Sequence, residues 1–403
     1  MKKILIISAV FPPEPVVSAN LSFDIANELG QYNDVTVISP YPTRPKDFKF
    51  LEFNKENFNF KHVVANSYTC AESKIIGRMK ESYSFGKFCE CYIKDNYKSI
   101  DIIYQNSWPL LSQFLIFKSS KKYNIPLITH VMDIYPESLI EKIPLLKKVL
   151  YNLLLPIDKK VLDYSTINIC ISENMKDYLS KSRKISKDKF IIVNNWQDES
   201  EFIKFRDLKT DISNKKEPFT FMYLGNNGPV AGVELIIESF VYSNIKNSRL
   251  IIAGSGSRTI ACKDLVSKLN ANNVFFVDVP RGKVPEIQSL ADVMVLPVKK
   301  GASFTSIPSK LPAYMFSEKP IIGCLDHNSD TANAILSANA GWVVEPENIN
   351  KLSEIMILVA KTNSEKLKLK GHNGFIYSLN NFSKNENLKK ITNILLKSIN
   401  NEG

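Results

Sequence analysis

The chain has 403 residues, which is more than one compact core usually holds, so two domains are expected. Hydrophobic residues make up 44% and charged residues 23%, a globular balance that excludes a disordered, collagen-like or coiled-coil protein. The net charge of +11 is spread evenly over both halves, so we expect no basic tail and no nucleic-acid partner. Six cysteines without a CxxC pair indicate a reducing cytosol, and no apolar run approaches the ~18 residues of a membrane span.

The first half of the chain alternates between predicted strands and helices. An apolar run at 3–10 stops at a proline-rich loop, so it predicts a buried first strand and not a signal peptide. A helix is predicted at 19–29 with Gly30 just past its end, and a second strand at 35–38 completes a βαβ unit. Further short β runs between helical stretches lie at 100–104, 126–130 and 167–171.

The same alternation restarts after a polar segment at 207–217, which is typical of a linker. Strands are predicted at 219–224, 249–253, 274–277, 293–297, 320–324 and 341–344, and helices at 233–242 and 309–316. The predicted fold class is therefore α/β, with two doubly wound, Rossmann-like domains that face each other across a cleft. We expect an N-terminal domain at 1–205, a C-terminal domain at 206–380 and a final helix at 381–403, for which packing back on the N-terminal domain is one placement.

The loop after the first strand argues against the usual dinucleotide site. That site needs a G-x-G-x-x-G turn, whereas residues 12–17 are PPEPVV, and a pyrophosphate cannot approach a proline-rich backbone that lacks glycine. The chain has no Walker loop, no two aspartates separated by one residue, and no zinc-ligand spacing among its four histidines. We therefore expect no bound cofactor and no metal.

The second half carries two glycine turns suited to phosphate binding. The first follows the strand predicted at 219–224, and the second, weaker one follows the strand at 249–253. Their backbone amides, together with the start of the next helix, would present positive potential to an anion. A tight turn that needs glycine for its conformation is the structural alternative. The residues concerned are Gly225, Asn226, Asn227 and Gly228 in the first turn and Gly254 and Gly256 in the second.

A more specific phosphate signal precedes the helix predicted at 309–316. The segment 303–310, SFTSIPSK, follows the strand at 293–297, at the carboxyl edge where doubly wound domains bind ligands. Ser309 is placed to cap the helix, free backbone amides can bind a pyrophosphate, and Lys310 can neutralise it. The alternative is an exposed lysine on a capped helix.

The order of these motifs resembles that of a known family. FPPEPVVSANLSFDIANELG at 11–30, MDIYPES at 132–138, GNNGPVAGVE at 225–234, IIAGSGS at 251–257 and SIPSKLPAYMFSEKPII at 306–322 follow one another in family order. On these motifs the chain is similar, over nearly its whole length, to retaining glycosyltransferases of sequence family four, which have the GT-B fold. MDIYPES resembles the D-x-W-P-E-S block of transferases for N-acetylated amino sugars in surface-polysaccharide assembly.

The resemblance implies a nucleotide-sugar donor, preferably a UDP-sugar, in the second domain and an acceptor in the first. It implies transfer with retention of configuration and without metal, in which the leaving phosphate helps to deprotonate the acceptor. The implied catalytic residues are Asp133 and Lys310, although capping of the turn before Pro136 is an equal alternative for Asp133. The implied donor-binding residues are Gly225, Asn226, Asn227, Gly228, Gly254, Gly256, Arg281, Thr305, Ser309 and Lys310. The implied acceptor-binding residues are Pro15, Val16, Ser18 and Glu137.

The family pattern is incomplete in this chain. Two family glutamates eight positions apart, the second of which holds the nucleotide ribose, fall on Thr305 and Ala313, and neither carries a carboxylate. Glu318 and Tyr314 are candidate replacements. The departures leave open a non-catalytic GT-B protein that binds nucleotide or a sister enzyme, and a nucleotide-sugar epimerase is a further alternative. The family's donor-loop arginine and lysine and its first-domain histidine are replaced by Asn226, Ala231 and Met132.

Two basic stretches are candidate surfaces for a membrane or an acceptor. Residues 141–162, EKIPLLKKVLYNLLLPIDKKVL, place lysines among leucines at helical spacing, which favours an anionic membrane near a polyprenyl-diphosphate acceptor. A core-facing helix with a lysine-rich outer face is the alternative. The second candidate is the segment 74–98, with aromatic residues among basic ones. We therefore predict a glycosyltransferase of lipopolysaccharide or capsule synthesis with a lipid-linked or saccharide acceptor, cytoplasmic and peripheral on the cytoplasmic face of the inner membrane.

Overall fold

The computed structural model describes residues 1–44, 49–50, 58–72, 74–106, 109–140, 147–208, 218–301 and 307–400. Contacts within the chain divide it into two compact units. The first unit is Met1–Asn194 with Asn387–Gly403, and the second is Asn195–Glu386. Each unit contains one parallel sheet with packed helices, which confirms the predicted α/β, Rossmann-like fold class.

The described strands of the first unit form one parallel sheet. They are β1 (Lys3–Ile7), β2 (Asp34–Pro40), β3 (Lys61–Ala65), β4 (Ile102–Asn106), β5 (Leu127–Val131), β6 (Ile167–Cys170) and β7 (Phe190–Ile192). Its helices are α1 (Val17–Gly30), α2 (Ile75–Asn96), α3 (Leu110–Tyr123), α4 (Glu137–Ile140), α5 (Lys147–Tyr164) and α6 (Glu173–Arg183). The strand order β3-β2-β1-β4-β5-β6-β7 reverses between β1 and β4, so the loops after these strands lie at the point where such sheets bind ligands.

β1 shows why an unbroken apolar run becomes a central strand. It pairs with β2 on one side and β4 on the other, and Ile6 is completely buried. Leu5 packs in one core with Ile103 of β4 and Phe85 of α2. A strand covered on both faces has no position where a polar side chain could reach water, so its sequence does not alternate.

Gly30 lies inside α1 and not past its end, which corrects the prediction. The helix ends at Gly30, and Gln31 is its C-cap in a right-handed conformation. A Cβ on Gly30 would stand 2.0 Å from the carbonyl oxygen of Asn59. Glycine is needed there because another part of the backbone comes close, and not because the helix ends in a left-handed residue.

The second unit repeats the architecture with its own parallel sheet. Its described strands are β8 (Phe219–Leu224), β9 (Ser248–Ala253), β10 (Val274–Val277), β11 (Val293–Pro297), β12 (Ile321–Cys324) and β13 (Gly341–Val344), in the order β10-β9-β8-β11-β12-β13. Its helices begin with α7 (Ser200–Leu208), α8 (Val233–Ser243), α9 (Thr259–Lys268) and α10 (Val284–Ser289). They continue with α11 (Lys310–Phe316), α12 (Asp330–Ser337), α13 (Ile349–Ala360) and α14 (Ser364–Asn381). The last described helix is α15 (Lys384–Asn400), whose residues from Asn387 group with the first unit.

The division between the units precedes α7. Phe202 of α7 packs in the second unit's core, with its ring centroid 5.9 Å from that of Phe316. This contact explains why α7 groups with the second sheet although it precedes the polar segment. The sequence-based boundary at 205/206 falls inside α7, and most of the predicted linker, 209–217, lies outside the described residues.

Candidate functional site

The first candidate group lies at the carboxyl edge of the second unit's sheet. Gly225 follows β8, and the side chain of Lys310, the first residue of α11, lies over it. A Cβ on Gly225 would stand 2.1 Å from Cε and 3.3 Å from Nζ of Lys310, so a side chain there would displace the lysine. The Lys310 ammonium also lies 5.5 Å from the centroid of the Tyr223 ring, a cation–π distance. Two residues predicted from the sequence to form one phosphate site thus lie in contact.

Lys310 is a half-buried cation without an acidic partner among the described residues. Burial lowers the pKa of its ammonium, because the charged form loses hydration. A poorly hydrated ammonium beside the backbone of a glycine turn suits an anion, which would restore the interactions that water no longer provides.

Tyr314 of α11 fixes the end of β8. Its hydroxyl accepts a hydrogen bond from the Leu224 amide at 2.9 Å and donates one to the Leu224 carbonyl oxygen at 2.8 Å. The neighbouring Tyr223 hydroxyl donates to the carbonyl oxygen of Asn226 at 2.7 Å. Tyr314 is fully buried and its hydroxyl is engaged twice, so the expectation that it replaces the ribose glutamate is wrong.

The second glycine turn packs against the first. Gly254 has φ +102°, and a Cβ on it would stand 2.5 Å from the carbonyl oxygen of Gly225. Both the backbone angle and the close approach therefore require glycine. A Cβ on Gly256 would likewise meet the Asn227 carbonyl oxygen at 2.6 Å. Asn227 is fully buried, and its side-chain amide donates to the Thr259 hydroxyl at 3.1 Å, so this side chain supports the two turns from inside.

The other predicted donor-binding residues are exposed or half-buried, or lie outside the described ranges. Asn226 is exposed, and a Cβ on Gly228 would meet nothing closer than 3.7 Å. Arg281 follows β10 and is also exposed, with no ion pair or hydrogen bond to any described residue. Thr305 belongs to 302–306, outside the described residues.

Ser309 does not cap α11, which corrects the prediction. Its φ of −58° and ψ of −15° are already helical, and its hydroxyl makes no capping hydrogen bond. A serine caps a helix from an extended conformation, which turns its oxygen back towards the free amides of the first turn. Ser309 is exposed, so its hydroxyl faces solvent at the start of the helix that carries Lys310.

Glu318 lies away from the glycine turns. It follows α11 and precedes β12, which places it near the amino end of the sheet, opposite the edge of Gly225. Its carboxylate lies 3.2 Å from Nδ1 of His372 and 3.8 Å from Nη1 of Arg206. The expectation that Glu318 replaces the ribose glutamate is therefore wrong.

A cavity of about 520 Å³ lies at the same carboxyl edge, beside the start of α8. Gly232, Pro297 and Lys299 line it, but Gly225 and Lys310 do not. Three carboxylates, those of Glu234, Glu238 and Glu347, face this cavity, and the one at Glu234 pairs with Arg258 at 2.7 Å. Two cations, Arg258 and Lys299, also line the cavity, so its lining carries one net negative charge, whereas Lys310 lies beside a glycine turn without an acidic partner among the described residues.

The second candidate group lies in the first unit, after β5. Asp133 is half-buried, and its Oδ1 accepts a hydrogen bond from the Ile134 amide at 2.9 Å. This contact lies within the turn before Pro136, so both roles considered for Asp133 stay predictions. The residue is not fully buried, so a substrate hydroxyl could reach it.

Glu137 has both carboxylate oxygens engaged. Oε1 accepts from Nη1 of Arg183 at 2.5 Å and from the Tyr178 hydroxyl at 2.8 Å, and Oε2 accepts from Nη2 of Arg183 at 2.8 Å. Burial opposes ionisation of Glu137, but the hydrogen bond and charge of Arg183 hold its pKa below the usual value. A carboxylate held in this way has little capacity left for the acceptor that the sequence assigned to it.

The three other predicted acceptor residues surround the start of α1. Pro15 is exposed, Val16 is the N-cap of α1 without a side-chain hydrogen bond, and the Ser18 carbonyl oxygen accepts from the Ser22 hydroxyl at 2.9 Å. Glu14 anchors this loop, because its Oε1 accepts from the backbone amide of Thr43 at 2.7 Å. They follow β1 at the switch point of the sheet.

The structure adds buried polar residues on β5 and α6 that sequence reasoning did not select. His130 of β5 is fully buried, and its Nδ1 lies 2.6 Å from the hydroxyl of Tyr104. Burial lowers the pKa of His130 to about 3, so the ring is neutral at physiological pH. Arg183 is also fully buried. A single arginine at a helix end carries no sequence signal of burial, because exposed arginines occur in the same context.

Comparisons with known proteins relate this chain to glycosyltransferases. Residues 205–374 match the family described as Glycosyl transferases group 1. The probable glycosyltransferase WbjE of Pseudomonas aeruginosa is 21% identical over 268 residues, which cover 64% of this chain. The match spans 65% of the length of that curated relative.

Solved structures resemble the whole chain. A glycosyltransferase from Rickettsia africae has a TM-score of 0.70 at 16% identity, with 99% of both chains covered. Anabaena Alr3699/HepE in complex with UDP has a TM-score of 0.69 at 14% identity, covering 98% of this chain and all of that one. The chain therefore has the GT-B fold of solved glycosyltransferases, and the family match to group 1 glycosyl transferases lies on its second unit.

Proposed function

We propose that the protein is a retaining glycosyltransferase that moves a sugar, preferably an N-acetylated one, from a UDP-sugar to a lipid-linked or saccharide acceptor of cell-surface polysaccharide. The observation that carries the proposal is the contact between Lys310 and Gly225 at the carboxyl edge of β8. This contact lies within the segment that matches the group 1 family. The likeness to Anabaena Alr3699/HepE, solved in complex with UDP, supports the choice of nucleotide.

The second unit would bind the donor diphosphate. Lys310 would neutralise it, and the backbone amides of the glycine turn would donate hydrogen bonds to it. Transfer makes the diphosphate a leaving group that gains negative charge, so groups placed in advance stabilise the transition state more than the bound donor. This arrangement would work without a metal ion, because the ammonium and the amides supply the positive potential.

The first unit would orient the acceptor. In the proposed reaction the bond between the anomeric carbon and the diphosphate oxygen breaks, and the acceptor hydroxyl forms the new bond on the same face of the sugar. The hydroxyl proton passes to the departing phosphate. Asp133 would accept a hydrogen bond from a sugar hydroxyl and so fix its position relative to the donor.

We propose further that α5 contacts an anionic membrane. Val149 and Leu153 are 66% and 64% exposed on its outer face. Lys147, Lys148, Lys159 and Lys160 are exposed near the two ends of the helix. An apolar stripe flanked by lysines suits the boundary between headgroups and acyl chains. Among the described residues no helix is both long and apolar enough to cross a membrane.

Vesicle sedimentation tests the membrane contact. Leu153→Asp should weaken binding to vesicles that contain anionic phospholipid, whereas Leu358→Asp on α13, where Leu358 is 52% exposed, should leave it unchanged. Equal binding to purely zwitterionic vesicles, or equal loss in both variants, would contradict a specific role for α5.

The full chain can be tested for transfer with UDP-sugars and a polyprenyl-diphosphate-linked saccharide. We expect UDP release that depends on the acceptor and persists in the presence of EDTA. Nuclear magnetic resonance of the product should show the anomeric configuration of the donor. An inverted product would contradict the retaining mechanism, and a changed donor sugar without acceptor would favour an epimerase.

One observation favours a second candidate, a non-catalytic protein that binds nucleotide. Ala313, which stands where the family has the ribose glutamate, is 9% exposed and packs in the core of the second unit. A small core residue at this position cannot hold a ribose hydroxyl. Binding of UDP without turnover of any UDP-sugar would favour this alternative.

A further inference from the structure

The side chain of Arg183 lies at the centre of a buried network in the first unit. Arg183 ends α6 and is fully buried, although an arginine is rarely found inside a protein unless it is paired. A guanidinium carries five N–H donors. Here all five are used: Nε on Asp158 at 2.8 Å, Nη1 on Glu137 at 2.5 Å and Ser182 at 3.0 Å, and Nη2 on Tyr135 at 2.6 Å and Glu137 at 2.8 Å.

Two of these partners follow β5, one on the loop and one at the start of α4. Arg183 binds the carbonyl oxygen of Tyr135 and, two residues later, the carboxylate of Glu137. The planar guanidinium meets the Glu137 carboxylate through two nearly parallel hydrogen bonds, which fixes angle as well as distance. The segment 135–137 is therefore held at two points by one side chain.

Asp133 is joined to the held segment by short-range contacts. Its Oδ1 accepts from the Ile134 amide, and the Ile134 carbonyl oxygen accepts from the Ser138 amide at 3.0 Å. Displacement of Glu137 would therefore move the turn that carries Asp133. Tyr178 adds a second donor to Glu137 at 2.8 Å, so the anchor does not depend on Arg183 alone.

Asp158, a further partner of Arg183, connects the loop to α5. Asp158 is 4% exposed on the inner face of that helix. A buried network with every donor engaged admits one arrangement, because any shift would leave a polar group without a partner in a medium of low dielectric constant. Arg183, at the end of α6, thus joins α5 to the loop after β5.

We propose that Arg183 is a positioning residue that sets the place of Asp133, and that Glu137 is the anchor of this loop and not an acceptor-binding side chain. The role assigned to Asp133 rests on the proposed function, whereas the anchoring of the loop does not. The group that Arg183 positions would bind an acceptor hydroxyl. Donor binding, which depends on the other unit, would not require Arg183.

The test compares Arg183→Lys and Glu137→Gln with the unaltered chain. Lysine keeps the charge but cannot form the two parallel bonds, and glutamine keeps the shape of Glu137 but loses its charge. We expect kcat to fall about 100-fold in Arg183→Lys, because a shift of about 1 Å suffices for such a loss, while KM for the UDP-sugar changes less than about threefold. We expect kcat of Glu137→Gln to lie between that of Arg183→Lys and that of the unaltered chain.

Hydrogen exchange supplies a readout that does not need activity. Backbone amides of residues 134–140 should exchange faster in both variants, whereas those of β9 in the second unit should not change. Lys187→Met is the matched control, since it breaks only the exposed ion pair with Asp177 on α6, at 2.6 Å, and should alter neither exchange nor kinetics.

The outcomes are distinguishable. Unchanged exchange at residues 134–140 in Glu137→Gln would overturn the anchoring role. A raised KM for the acceptor in that variant, with kcat and exchange unchanged, would return Glu137 to acceptor binding. If the unaltered chain transfers no sugar but both variants show faster loop exchange, the proposed function fails and the anchoring role stands.

Discussion

The two candidate groups are built in different ways. In the second unit, Gly225 and Gly254 let two turns and the Lys310 side chain lie close together, with backbone atoms at the contact. In the first unit, the segment after Asp133 is held by the ion pair between the buried Arg183 and the half-buried Glu137. The group in the second unit depends on glycines, which have no side chain, and the group in the first unit depends on the large ionised side chains of Arg183 and Glu137. The two should therefore respond to different changes.

The largest expected effect is the loss of Lys310. Lys310→Ala should lower turnover of a UDP-sugar by about 100- to 1,000-fold, the range seen when one group that stabilises a developing negative charge is removed. Lys370→Ala is the matched control: its ammonium, whose pKa burial also lowers, lies 4.9 Å from the centroid of the Trp342 ring. Steady-state kinetics of both variants checks the prediction. Activity near that of the unaltered chain in Lys310→Ala would remove the diphosphate role.

The second prediction concerns the contact between the two turns. Gly254→Ala should lower the free energy of unfolding of the second unit by about 3 kcal/mol, since its Cβ meets a backbone oxygen at 2.5 Å and its φ is +102°. At Gly228 an alanine Cβ would meet only the Asn226 side chain, at an ordinary contact distance of 3.7 Å, so Gly228→Ala should change the free energy of unfolding by about 0.5 kcal/mol or less. Urea unfolding followed by probes in the second unit measures both. Equal effects in the two variants would show that the close approach does not matter.

The third prediction concerns pH. The free energy of unfolding should change with pH because Asp158, in the buried network of the first unit, titrates. Burial raises the pKa of Asp158 from 3.8 to about 6, against the attraction of Arg183. The folded state thus binds this proton more tightly than the unfolded state. The stabilisation it brings is complete below pH 3.8 and is lost as pH rises through about 6.

Asp158→Asn removes this titration and serves as the comparison. The difference in unfolding free energy between the variant and the unaltered chain should change by at most about 3 kcal/mol between pH 4 and 7. Glu137, whose lowered pKa acts in the opposite direction at more acid pH, is present in both proteins and cancels in the difference. Parallel pH profiles would refute the assigned burial effect.

The smallest expected effect is that of one hydroxyl. Tyr314→Phe removes the group that binds both the amide and the carbonyl oxygen of Leu224. The free energy of unfolding should fall by about 1–2 kcal/mol, because two backbone groups lose a buried partner while the ring stays packed. Chemical denaturation provides the value, with Tyr242→Phe, at a tyrosine that is 67% exposed, as the control. No difference between the two variants would mean that water replaces the hydroxyl.

The fold was predictable where the chain is buried on both faces. β8 and β11, in the middle of the second sheet, coincide with the apolar runs predicted for them, since the interior of a parallel sheet leaves no room for polar side chains. β10 and β13 form the edges of that sheet and are partly exposed, but they also coincide with predicted runs because their exposed positions still carry apolar residues, such as Phe275 at 48% exposure. β3 and β7, the two edges of the first sheet, were not predicted.

The candidate site was predictable only in part. The glycines and Lys310 lie in short motifs beside strand ends, and local sequence carries that information. Gly30 and Ser309 were misplaced because close approach of Asn59 and the exact start of α11 depend on tertiary packing. The role of Arg183 depends on partners 25 and 46 positions away, for which no local pattern exists.

The most direct test of the central claim is the binding of nucleoside diphosphates, measured as a shift of the thermal midpoint in the presence of EDTA. Since ligand that binds only the folded state raises the midpoint by mass action, UDP should raise it for the unaltered chain and for Lys370→Ala. It should raise it much less for Lys310→Ala. The absence of a shift with UDP, GDP and dTDP alike would contradict a donor site at Gly225 and Lys310.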